Sequence, residues 1–173
     1  MKKIQLPLSD EVIKTLCVGQ KILISGEVLT ARDAAHKRFH EAIQNNLALP
    51  VNLKGAVIYY TGPTPTKPGF VSGVAGPTTS YRMDKYTPML LDRGLKGIIG
   101  KGKRSQEVID SIVKNHAVYF AAVGGAAALT LKCITKSEII AYDDLGTEAI
   151  RKMIFKDFPV FVAVDCHGNS IYA

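Results

Sequence analysis

Two segments, Gly76-Pro77-Thr78-Thr79-Ser80-Tyr81-Arg82-Met83-Asp84 and Gly100-Lys101-Gly102-Lys103-Arg104-Ser105, combine turn formers, hydroxyls and fixed cations beside expected helix starts. Free backbone N–H groups and the positive dipole end at a helix start attract anions. A guanidinium there can clamp a carboxylate through two parallel hydrogen bonds. Arg82 follows Thr78 by four residues, a spacing that would put both on one face of a helix. Glycines flanking Lys101 let the backbone approach a ligand, although the spacing of a Walker loop is absent. A third cluster, Thr30-Ala31-Arg32-Asp33-Ala34-Ala35-His36-Lys37-Arg38, sets Arg32 and His36 four residues apart, a candidate pair for holding an anion and moving a proton. The chemistry implied is capture of a small polyanion. Each cluster also has an ordinary reading: a capped helix with a surface arginine, a glycine turn, a structural histidine. His40, His116 and His167 lack such company and read as structural.

These side chains need elements to hold them. Residues 4–8 read as a short strand, and Ser9 as the cap of a helix over 10–16, with Asp10 and Glu11 favourable to its dipole. Residues 21–29 alternate around Ile22, Ile24 and Val28, as a half-buried strand does. Thr30 is expected to cap a helix over 31–45, with Asp33 as the acid of a capping-box-like start. Residues 55–60 read as an apolar strand entering a Pro/Gly/Thr stretch, 61–69, that excludes helix and central strand. A loop of that length is a candidate for function. The turn at 76–80 is expected to open a helix to about Asp92, stopped by Gly94. A strand at 97–99, a helix at 105–115 and a buried strand at 117–123 follow, then Gly124-Gly125 and a helical turn of small residues. Strands at 134–142 and 151–163 and a turn at His167-Gly168-Asn169 complete the chain. Irregular alternation, with strands gathered late, predicts one α/β domain over 1–173 with a mixed sheet.

Composition narrows the function classes. A chain of 173 residues, 47% hydrophobic and 21% charged, is long enough for a sizeable core and is not a disordered sequence. Apolar runs fall short of a membrane span, and the N-terminal stretch is too short and polar for a signal peptide, so a cytoplasmic location is expected. Three scattered cysteines, Cys17, Cys133 and Cys166, argue against a disulfide framework or an all-cysteine zinc site. A metal used by this protein is therefore expected mostly or wholly on another chain. The net charge of +7 is spread along the sequence, where nucleic-acid binding favours a dense basic stripe. An anionic small molecule or an acidic partner accounts for it as well.

Taken together and in order, the segments resemble the β subunit, or C-terminal domain, of class I iron–sulfur fumarases and the related L-tartrate dehydratases. The resemblance rests on residues 30–38, 60–63, Gly-Pro-Thr-Thr-Ser-x-Arg-Met at 76–83, and 100–106. Gly124-Gly125-Ala126-Ala127, Asp157-Phe158-Pro159 and 165–169 extend it over essentially the whole chain. It implies a swivelling β/β/α domain and a hydro-lyase that interconverts fumarate and L-malate. It further implies a 4Fe-4S cluster held by cysteines of a separate α subunit, with no metal ligand from this chain, and an α2β2 assembly. Carried over by position, Arg32 and Arg82 would grip the substrate carboxylates and Lys101 would add a cation. Thr78 would be the base, with Thr79 or an α-subunit group as rivals. His36 would either touch a carboxylate or stand behind the residues that do. The stretch Gly102–Gln106, the Gly124-Gly125-Ala126-Ala127 turn and the Asp157-Phe158-Pro159 end resemble fumarases more than tartrate dehydratases. A non-catalytic anion- or nucleic-acid-binding module is the remaining reading, suggested by charge alone.

Overall fold

Along the strands, alternate residues enter different cores. Val57 and Tyr59, Ile99, and Val118 and Phe120 belong to one buried cluster, while Ile58 and Tyr60, Ile98, and Tyr119 and Ala121 belong to another. A sheet buried on both faces reads as near-continuous apolar runs, as these segments do. The computed structural model describes residues 1–123 and 125–172, apart from the side chains of residues 126, 127, 129 and 130. Its strands are β1 (Lys2–Gln5), β2 (Lys21–Thr30), β3 (Val57–Tyr59), β4 (Gly97–Gly100), β5 (Val118–Ala122), β6 (Ile134–Ala141) and β7 (Ile150–Val164). They form one mixed sheet in the order β1-β2-β3-β4-β5-β7-β6. Neighbours from β1 to β5 pair in parallel, and β7 runs antiparallel to β2, β5 and β6. The architecture is α/β with a mixed sheet, as expected.

The length of β7 closes this sheet. Its pairs with β2 run from Lys152↔Leu29 to Phe161↔Lys21. It also takes β6 along its first part and β5 along its last. The strands β2, β3, β4, β5 and β7 thereby form a barrel-like ring, which removes free edges from its members. The ring carries helices α1 (Asp10–Lys14), α2 (Asp33–Gln44), α3 (Thr87–Leu91), α4 (Gln106–Lys114) and α5 (Ala126–Cys133). Ile13 of α1 joins the first cluster. Phe39 of α2, Leu90 and Leu91 of α3, and Val108 and Ile112 of α4 join the second. Ser9 and Ser105 cap α1 and α4, each hydroxyl accepting at 3.3 Å from the N–H three residues on.

Two expected helix starts are corrected. Thr30 is not a cap: it is the last residue of β2, and its hydroxyl accepts from Arg151 N at 3.0 Å, which ties it to β7. Helix α2 starts at Asp33, and the remote Glu148 carboxylate accepts from Ala34 N at 3.0 Å in place of a local cap. The helix expected from the 76–80 turn to Asp92 divides into a 3-10 turn, Ser80–Met83, and α3. Pro88 lacks the N–H that a continuous helix would need, and it is tolerated in the first turn of a new one. The loop from Thr61 to Gly76 is fixed at its base. Thr61 Oγ1 donates to Gly76 O at 2.6 Å and Tyr59 OH to Ala75 O at 2.7 Å, while Thr64 N donates to Val74 O at 3.0 Å. Gly124 of the expected glycine pair lies outside the described residues; Gly125 turns into α5.

Gly26 sits where the β2–β7 register shifts, at φ 121°, and a Cβ there would lie 2.9 Å from the Leu6 Cβ. Gly26→Ala is expected to cost about 1–3 kcal/mol. The check is a lower denaturant midpoint at unchanged m-value; an unshifted midpoint would contradict the close approach.

Candidate active site

The residues singled out from sequence converge at the carboxyl ends of parallel strands, the end at which α/β sheets, open or closed into a barrel, bind ligands. β2 ends at Thr30 and leads to Arg32; β3 leads to Tyr60; β4 ends at Gly100 and leads to Lys101. The ladder continues past the strands, with Ala31 N donating to Tyr59 O at 3.1 Å and Tyr60 N to Ile99 O at 2.9 Å. Thr78 N donates to Tyr60 O at 2.7 Å, and Thr79 forms a parallel bridge with Lys101. The same end of the sheet thus collects Arg32, Thr78, Thr79 and Lys101. Thr78 is half-buried; Thr79 and Lys101 are exposed. Among the described residues neither threonine hydroxyl has a hydrogen-bond partner and the Lys101 ammonium has no ion pair.

Ser80 and Arg104 lock the segments 76–84 and 100–105 together. Ser80 Oγ donates to Thr78 O at 2.9 Å and accepts from Lys101 N at 3.0 Å. A Cβ on Gly100 would fall 2.2 Å from that oxygen, so glycine is required there for the hydroxyl to fit. Arg104, the arginine of the Gly100–Ser105 segment, does not face solvent. It is 2% exposed and donates to Ser80 O at 2.7 Å, Asp84 Oδ1 at 2.6 Å and Lys103 O at 2.9 Å. Its guanidinium lies 4.9 Å from the Tyr119 ring centroid, and Asp84 Oδ2 accepts from Ser105 N at 2.8 Å. Burial holds the Asp84 carboxyl above its ordinary value although Arg104 pulls the other way. Desolvation therefore takes back much of what the pair gains, and its clearest effect is to define geometry.

A second network contains the site arginines. Arg82 does not share a helix face with Thr78, because the turn carrying it begins only at Ser80. Its guanidinium meets Asp33, with Nε 2.8 Å from Oδ1 and Nη2 3.2 Å from Oδ2. Arg32 Nε lies 3.3 Å from Asp33 Oδ2 and 3.4 Å from Glu148 Oε1. Hydrogen bonding from Arg82 is the main reason the Asp33 carboxyl sits below its ordinary value. Gly62 makes room: a Cβ there would be 2.8 Å from Arg32 Cδ. An open cleft of about 710 Å³ lies beside this network, lined by Asp33, Lys37, Tyr81, Arg82, Lys85 and Glu148 among others.

His36 is enclosed. Its Nδ1 is 2.8 Å from Arg32 O and its ring packs edge-on to Tyr60 at 5.0 Å. Burial lowers its pKa to about 4, so the imidazole is neutral at physiological pH. Of its two expected roles, direct contact with a carboxylate does not fit this enclosure, and support of the Arg32 backbone does. Sequence reasoning missed Glu148, which only the fold brings to α2, and saw Asp33 only as a helix-start acid. The adjacency of Arg32 and Asp33 was the available signal. Cys17 is exposed, Cys133 half-buried and Cys166 buried. Among the described residues no three or more His, Cys, Asp or Glu side chains gather as a metal site, so this donor set does not fit an iron–sulfur cluster.

Comparison with known proteins gives a consistent set. The family model described as Fumarase C-terminus matches residues 1–173. The chain is 39% identical to Fumarate hydratase 2 of Leishmania major over 158 residues, covering 90% of this chain and 28% of the relative. It is 38% identical over 174 aligned residues to the aerobic class I fumarate hydratase of Escherichia coli, covering 99% and 31%. It is also 35% identical over 171 residues to a Methanocaldococcus jannaschii protein named for the beta subunit of L(+)-tartrate dehydratase, covering 95% and 88%. The chain spans about three-tenths of the length of these two fumarate hydratases.

Two outcomes follow from the buried groups. Arg104→Met leaves the Asp84 carboxylate without its partner and is expected to cost about 3–5 kcal/mol. Adding Asp84→Leu should recover part of that in denaturant unfolding; a double variant less stable than the single would contradict the account. His36 has its pKa depressed on folding, so its stabilisation is complete above about pH 6.5 and is lost as pH falls towards about 4. The loss through this one residue is about 3 kcal/mol. Unfolding midpoints measured from neutral to acid pH should therefore fall less for His36→Gln than for the parent, and equal slopes would refute the assignment.

Proposed function

The chain belongs to the Fumarase C-terminus family, and from that premise we propose that it is the β part of a class I fumarase, hydrating fumarate reversibly to L-malate with an α part on another chain. The observation that carries this reading is the gathering of Arg32, Lys101 and two unengaged threonine hydroxyls at one end of the sheet, with Arg82 joined to Arg32 through Asp33. A substrate with two carboxylates matches guanidiniums from two different elements.

In this reading Arg32 and Arg82 grip the carboxylates and Lys101 adds a third positive charge. Thr78 takes the proton from the carbon next to a carboxylate when malate loses water, and returns it on hydration. A threonine hydroxyl is a very weak acid, so cations nearby and exclusion of water must favour its alkoxide. Thr79, exposed and bridged to Lys101, is the rival base on this chain. His36 holds Arg32 from behind. A 4Fe-4S cluster, when bound, would be held by the α part and would supply a Lewis acid there. Partner docking is supported by the loop between Tyr60 and Thr78, which exposes Phe70 at 56%, Val71 at 50% and Val74 at 41%. In our reading this domain swivels to close over substrate within a cytoplasmic α2β2 assembly and has no nucleic-acid role. No described helix is long and apolar enough to cross a membrane.

One observation favours a second reading, the β subunit of an L-tartrate dehydratase: the chain covers 88% of that relative, but 31% of the Escherichia coli fumarase. Fumarate is preferred because identity to the Escherichia coli fumarase is higher, 38% over 99% of this chain against 35% over 95%. The test is anaerobic co-expression with the candidate α part and assay of fumarate, malate and L-tartrate. Malate turnover is expected to exceed tartrate turnover. Arg82→Ala should lower kcat/KM on the order of 100-fold, as loss of a charged hydrogen-bonded contact does. Thr78→Ala should lower kcat by about 100-fold or more with KM little changed. Activity unaltered by either substitution would sink the site assignment, and turnover of tartrate alone would select the second reading.

A further inference from the structure

We propose that Asp33 is a positioning residue that sets the direction of both substrate-gripping arginines, holding each by its Nε edge and leaving its Nη edge open for a carboxylate. The inference rests on the functional reading above and goes beyond it, because that reading assigns Asp33 no part. Asp33 is the first residue of α2, a twelve-residue helix whose N-terminus favours a carboxylate. From there Oδ1 accepts from Arg82 Nε at 2.8 Å and Oδ2 from Arg82 Nη2 at 3.2 Å. Oδ2 also accepts from Arg32 Nε at 3.3 Å, a donor that Glu148 Oε1 approaches at 3.4 Å. One carboxylate thus spans two arginines that are fifty residues apart in sequence.

Which edge is occupied decides what Asp33 does. A guanidinium carries donors along two forks, one of Nε with an Nη and one of the two Nη atoms. Asp33 occupies the first fork of Arg82 and the Nε of Arg32. Among the described residues nothing hydrogen-bonds to Arg82 Nη1 or to either Nη of Arg32. A carboxylate competing for the substrate's place would sit on those end forks. This one sits at the side, where it fixes the ring of donors without using those left for a ligand. Stability is not the main consequence. The Arg82 and Asp33 side chains are 40% and 37% exposed, and exposed pairs contribute little. Two planar cations free to rotate would pay for their own ordering each time substrate binds, and a preset direction removes that cost.

Two experiments decide it. In the assembled enzyme, Asp33→Asn should lower kcat/KM for malate about 10- to 100-fold, chiefly through KM, yet less than about three-fold in an Arg82→Ala background. Asp33→Glu should restore part of the loss, with melting temperatures nearly unchanged throughout. Independent losses in the two backgrounds, or no loss at all, overturn the proposal. In the isolated chain, the Arg82 Nε–H resonance should be visible at neutral pH, persist when malate is added and disappear in D33N. Its disappearance on adding malate to the parent would show Asp33 to be a competitor of substrate, and its persistence in D33N would show no hold at all; either result overturns the proposal. If the parent assembly is inactive on malate while the resonance behaves as expected, the proposed reaction fails and the hold of Asp33 on Arg82 stands.

Discussion

The Arg104 guanidinium lies almost wholly out of water and touches the segments 76–84 and 100–105 at once, through Ser80 O and Asp84 Oδ1 on one and Lys103 O on its own. Taking such a group from water is costly unless its donors are met, and here hydrogen bonds to two carbonyls and a carboxylate, with an aromatic face nearby, meet most of that demand. The consequence is positional. Thr78 and Thr79 sit beside Lys101 because Ser80 is clamped between the Lys101 backbone and Arg104. Remove that clamp and the two segments become separate surface turns with no fixed relation.

The ring of strands sets the distances over which this clamp acts. Because β7 pairs with β2 as well as β5, the carboxyl ends of β2, β3 and β4 are held in order, and each passes its chain to a different part of the site. The cations then divide their roles. Arg104 is internal and structural. Arg32 and Arg82 face outward but are tethered by acids, and Lys101 stands free of ion pairs among the described residues. At this end of the sheet the cations thus comprise one buried strut, Arg104, and an outward set, Arg32, Arg82 and Lys101.

Much of this was legible beforehand, for reasons that separate local from remote causes. Period-two alternation around Ile22, Ile24 and Val28 identifies β2, and Ser9 marks α1 because a cap is satisfied within three residues. Thr30 misled because its hydroxyl is claimed by Arg151, more than a hundred residues away. The residue types of His36 and Arg104 did not reveal that both are buried, one against Tyr60 and the other against Tyr119. Glu148 was invisible because its link to Ala34 exists only once the chain has folded. The order Gly-Pro-Thr-Thr-Ser-x-Arg-Met, taken with the other segments, carried the family resemblance; the orientation of its arginine did not follow from spacing.

In the proposed reading the site on this chain is half of one. It offers cations, hydroxyls and an apolar loop, and it gathers no metal-binding set among the described residues. The central claim is that Arg32 and Arg82 receive the two ends of a dicarboxylate when the partner closes over it. A structure of the reconstituted assembly with malate bound tests this most directly. The account predicts malate carboxylates within hydrogen-bond distance of the Nη atoms of Arg32 and Arg82, with Asp33 still on their Nε sides. Malate held entirely by the partner, with neither arginine in contact, would contradict it.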